Sequence, residues 1–146
     1  MAAVGVLLAA AVGAALIADM GRWDPALLVV LFALVVGADL IEIEFKRISL
    51  SGSFLGLVVA MALLGPVPAA VLGFSGTLLW TLRYRPRLWG ALVNLANFAT
   101  FPLAGGLVMH VVADALDVRP DQLGYAVVVV AGFSVAHAMI TAITLF

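Results

Sequence analysis

Three side chains stand out for the chemistry they could do inside an apolar chain: Asn94, Asn97 and His137. The asparagines are spaced i, i+3 and share one face of a helix, with Phe101 one turn further along it. Asn97 lies ten residues past Arg87, and His137 lies nine residues before the end of the last apolar run. At 1.5 Å per residue both come about 14 Å from the same end, so amide and imidazole can meet. Ser75 and Thr77 precede Arg83 by about 12 and 9 Å on the same rise. Polar groups at such a depth avoid hydrocarbon and seek one another. The expected site therefore joins Asn94, Asn97, His137 and Thr77, either as a pocket for a small-molecule ligand or signal, or as hydrogen bonds between helices worth about 0.6 kcal/mol each.

Asp39 is a further candidate. Only 14 residues separate it from Asp24, about 21 Å of helix, which places it at or just inside a bilayer boundary. It is a ligand-binding candidate, or an acid neutralised by Arg83, Arg85 or Arg87.

Other chemistries find no support. His110 and His137 are 27 residues apart on different segments, a spacing that builds no metal site, and His110 sits one turn before Asp114, where a solvated imidazole is expected. The chain has no cysteine, which removes disulfides, thiolate ligands and cysteine nucleophiles. It shows no glycine-rich phosphate loop and no serine nucleophile elbow, so no enzyme activity, cofactor or metal is expected in these residues. A net charge of −1 offers no field for nucleic acid.

The elements that must position these residues follow from charge. Hydrophobic residues make up 66% of the 146, and charged ones 10%, against about 25% in globular chains. Uncharged runs cover 1–18, 48–82, 88–113 and 122–146, and about 20 apolar residues span a bilayer core as helix. The fold class is all-α integral membrane: a single transmembrane domain over 1–146, built as a six-helix bundle.

The first helix is expected over 2–18, retained rather than cleaved as a signal peptide, and the second over 25–41. The alternating stretch 42–52 (Glu42, Ile43, Glu44, Phe45) suits a short strand or interfacial segment. The run 48–82 is too long for one crossing, about 52 Å as helix. It breaks at Gly65, Pro66 and Pro68, which gives a hairpin of short helices over 53–64 and 68–82. The fifth helix spans 88–113 and the sixth 124–146. Pro102, followed by Gly105 and Gly106, is expected to hinge the fifth helix and free the carbonyl of Phe98. Gly52 with Gly56, and Gly73 with Thr77, have the spacing of close helix packing.

Orientation rests on basic residues. Arg83, Arg85 and Arg87 place their turn in the cytoplasm, alternation puts Lys46 and Arg47 there too, and Arg22 and Arg119 fall outside. Both termini are then cytoplasmic. The chain reaches Phe146 in apolar sequence without a polar flank, so it is expected to be the membrane part of a longer protein.

From Ala38 onward the chain resembles the multi-helix membrane input domains found ahead of HD-GYP phosphodiesterase and GGDEF diguanylate cyclase modules in bacteria. The residues that carry the resemblance are Ala38-Asp39-Leu40, Ile48-Ser49-Leu50-Ser51, Gly65-Pro66 followed by Ala69-Ala70, the Arg83 to Arg87 turn, and Asn94 with Asn97. Asp39 stands where that family often has glutamate, and His137 where it often has asparagine. The resemblance implies a sensory or regulatory module of the bacterial inner membrane in cyclic-di-GMP signalling, with an output domain on the cytoplasmic end of the last helix. An S component of an energy-coupling-factor vitamin transporter is the alternative, similar in size, helix number and terminal placement, with Ala10 and Ala14 fitting its helix 1 contact. A structural membrane subunit is a third. The expected partners are the lipid bilayer, a small-molecule ligand in the pocket reading, and a second copy through small-residue helix faces.

Overall fold

In a computed structural model, residues 2–17, 19, 21–40 and 52–144 are described. They form six helices and no strand: α1 (Ala2–Leu16), α2 (Pro25–Leu40), α3 (Gly52–Leu64), α4 (Pro66–Tyr84), α5 (Leu88–Leu116) and α6 (Tyr125–Thr144). Of the segment 42–52, read as strand or interfacial, Gly52 opens α3, and the rest lies outside the described residues, Lys46 and Arg47 included.

Helix ends follow local chemistry. Asp24 caps α2: its Oδ1 accepts from the amides of Ala26 (3.0 Å) and Leu27 (3.1 Å), with Pro25 at the first helical position. The long apolar run does break, at Gly65 alone, where φ 91 and ψ −176 demand glycine. Helix resumes at Pro66 rather than at the expected Pro68, because first-turn amides have no acceptor within the helix to lose. The ring of Pro68 would crowd the carbonyl four residues back, but that is Leu64 in the preceding helix, whose oxygen accepts from the amide of Arg22 at 2.7 Å. At the other end of α4, Arg85 takes the left-handed conformation (φ 47) and donates to the Thr81 carbonyl at 2.9 Å, and α5 begins after Arg87.

The helices alternate in direction between two polar ends. At one end the Arg22–Leu64 bond ties the α1–α2 connection to the α3–α4 corner, and the Tyr125 hydroxyl donates to the carbonyl of Ala62 at 3.1 Å, which adds the start of α6. The Arg83–Arg87 turn closes the opposite end.

Close backbone approaches set the packing. Gly56 faces Val35 and Gly52 faces Ala38, so the spaced glycines form the α2–α3 seam. A Cβ on Gly73 would collide with the carbonyl oxygen of Phe98, and one on Gly106 would lie 2.7 Å from the Cα of Pro66, fixing α4 against α5. A Cβ on Gly105 would lie 2.9 Å from the carbonyl oxygen of Gly132, which brings α6 onto α5. Pro102 leaves α5 continuous. The Phe98 carbonyl, which loses its amide donor to Pro102, lies against Gly73, a place for a weak Cα–H···O contact.

The core centres on Phe101 of α5, fully buried, with ring centroids 5.4 Å from both Phe54 and Phe98. Phe54 in turn meets Phe133 of α6 at 5.3 Å, and Leu57, Met61, Val35 and Val128 close the same cluster.

Candidate functional site

The register of Gly73 opposite Phe98 governs the polar residues of α4 and α5. In an antiparallel pair, four residues along each helix bring Thr77 level with Asn94, and Asn97 falls one residue from the crossing. Asn97 is buried (6% exposed) and its Oδ1 has no hydrogen-bond partner. Thr77 is buried at 9%, and Asn94 is half-buried. One turn beyond Thr77, the hydroxyl oxygen of Thr81 is buried without a partner as well. Ser53, at the start of α3, is fully buried. Thr100 is satisfied within its own helix, donating to the Ala96 carbonyl at 2.7 Å.

The structure thus brings Thr77, Asn94 and Asn97 to neighbouring levels of the α4–α5 pair. It does not bring His137 into the interior. On α6, Val128, Gly132 and Ala136 face α5 and are buried, so the next residue, turned 100° further, points away. His137 is exposed, with its ring stacked parallel on Phe133 at 6.1 Å. Equal depth along two helices fixes a level but not a facing, which is why the expected meeting with Asn97 fails.

Asp39 belongs to the last turn of α2, and its side chain lies outside the described residues. The Gly76–Val35 contact aligns α2 with α4 in parallel, so the backbone of Asp39 is level with Trp80. Arg83, Arg85 and Arg87 are exposed, and no ion pair joins them to another described residue. Arg83 lies 5.7 Å over the ring of Tyr84. His110 is exposed near the opposite end, 3.5 Å from Asp114, as a solvated imidazole requires.

Among the described residues no group of three or more histidine, cysteine or acidic side chains could hold a metal. An apolar cleft of about 420 Å³ opens between α1 and the α4–α5 pair, lined by residues that include Leu8, Ala10, Val71, Phe74 and Leu103. It contains none of the candidate polar residues and no group able to orient a polar ligand.

Sequence reasoning overlooked Thr81 and Ser53, and a broader pattern. All three tryptophans and both tyrosines of the chain fall at the two polar ends: Trp80, Tyr84 and Trp89 beside the arginine turn, Trp23 and Tyr125 at the other. Their placement at the margins of the uncharged runs is a signal the sequence carried openly. Between these belts the outer surface is mainly aliphatic, with Leu8 63%, Val29 69%, Leu55 60% and Val130 63% exposed, and Ser134 and His137 of α6 interrupt it.

Among the described residues two helices, α5 and α6, are long and apolar enough to cross a membrane. The apolar stretch of α5 is 56% buried, as a central helix would be, but that of α6 is only 17% buried. No protein-family model matches this chain. No curated protein and no solved structure matches it either.

Proposed function

We propose that this chain is a six-crossing module of the bacterial inner membrane that detects a signal in its polar interior and passes it to a cytoplasmic output domain through α6. The membrane setting is supported by the aromatic belts and the mostly aliphatic waist between them, since Trp and Tyr favour the two interfaces and so large an apolar surface is unsuited to water. The 20 residues of α6 rise about 30 Å, the thickness of the hydrocarbon core.

The observation that carries the sensory reading is Asn97: a buried amide oxygen without a partner, on the helix against which α6 packs. An unmet acceptor in a low-dielectric interior favours any donor that reaches it, and Pro102 one turn away weakens the resistance of α5 to bending. A ligand or proton-bearing group that pairs with Asn97 would shift α5, and α6 would move with it through the Gly105–Gly132 contact. The resemblance to cyclic-di-GMP input domains supplies the kind of output.

The test is a chimera with the chain ahead of a diguanylate cyclase module, in which Asn97→Leu and Pro102→Ala are compared with the parent at equal membrane abundance. Cyclic-di-GMP levels should shift in both variants. Levels identical to the parent in both would contradict a signalling role.

A further inference from the structure

On α6 the face opposite α5 is unusual for one that meets lipid. Val130, Ser134, His137 and Thr141 are all exposed and follow one another at spacings of four, three and four, the repeat that keeps a seam toward a partner helix at a shallow left-handed crossing. Valine, serine and threonine are small enough to let backbones approach along it.

Two of its three polar groups are satisfied by α6 itself. The Ser134 hydroxyl donates to the carbonyl of Val130 at 2.8 Å, and that of Thr141 to the carbonyl of His137 at 2.9 Å. His137 differs. Its ring stacks on Phe133, but no described group hydrogen-bonds to its nitrogens. It lies 12 residues into the helix from Tyr125, about 18 Å along a span of about 30 Å, near the level where an unmatched imidazole is most costly.

From this exposed, unpartnered His137 set in a heptad-spaced seam, we infer that α6 pairs with α6 of a second copy of this chain in a parallel, two-fold symmetric dimer. This rests on the membrane reading above. Two copies inserted with the same orientation are related by an axis along the membrane normal, so each seam residue meets its own counterpart. A neutral imidazole carries one donor and one acceptor and is therefore complementary to itself. Neither lipid tails nor a purely aliphatic helix could meet that need. The large uncovered surface of α6, 17% buried over its apolar stretch, leaves room for a helix pair along its whole length.

The absence of native cysteine makes the test direct. Ser134→Cys and Thr141→Cys, made singly in the full chain and oxidised in intact membranes, should form disulfide dimers several-fold more than Leu34→Cys on α2 or Val59→Cys on α3, which are exposed but off the seam. A disulfide requires Cα atoms within about 7 Å, so the readout reports same-residue contact. Adding His137→Leu to the Ser134→Cys protein should lower its cross-linking several-fold. Equal or absent cross-linking at all four positions in membrane-integrated protein would overturn the dimer and leave lipid as the occupant, with the membrane reading intact. Release of the protein by alkaline extraction would overturn both.

Discussion

Gly73 and Asn97 are the residues on which the interior depends, for opposite reasons. Gly73 leaves room for a carbonyl that Pro102 has deprived of its amide, so a methyl group there must displace α5. Gly73→Ala should destabilise the protein by about 1–3 kcal/mol, the usual range for overpacking, as read by the thermal midpoint in detergent. Gly90→Ala, with open space around its Cα, serves as the neutral control. Asn97 carries an unmet acceptor, and an apolar side chain of similar volume removes that penalty. Asn97→Leu should therefore leave the thermal midpoint unchanged or raised while altering output in the chimera; a large loss of stability would mean that Asn97 holds helices together. The asparagines were legible in the sequence as polar residues at a common depth. The outward turn of His137 was not, because depth follows from counting residues whereas facing depends on which side of α6 meets α5, and the small Gly132 that decides it drew no attention.

At the scale of elements, interruptions in the apolar runs were enough to expose six helices, since charge and glycine-proline clusters are tolerated only where helices end. Their limits shifted where first-turn and last-turn chemistry took over. Pro66 opens α4 instead of preceding it, so the helix starts two residues before the expected Pro68, and α5 runs on to Leu116 past Asp114 because a solvated acid at a helix end costs little. The corner at Gly65 then carries the sharpest backbone demand of the α3–α4 hairpin. Gly65→Ala forces a side chain into a conformation open essentially to glycine alone and should cost about 1–3 kcal/mol. Chemical denaturation of the purified protein checks this, and an unchanged midpoint would show that the corner relaxes freely.

For the whole molecule, composition made the apolar character plain, and the structure adds how that character is distributed: aromatic belts and charges at two ends, mostly aliphatic side chains around the waist, and polar side chains in two places, between α4 and α5 and along the outer face of α6. Such an arrangement supports the proposed membrane setting. In the proposed membrane topology the arginine turn and the α5–α6 connection lie on opposite faces of the membrane, with α5 crossing between them. Reporter fusions after Arg85 and after Asp117, read with one reporter active only in the cytoplasm and another active only outside it, measure this directly. A cytoplasmic signal at Arg85 and an external signal at Asp117 are expected, and the same side for both would contradict the six-crossing topology.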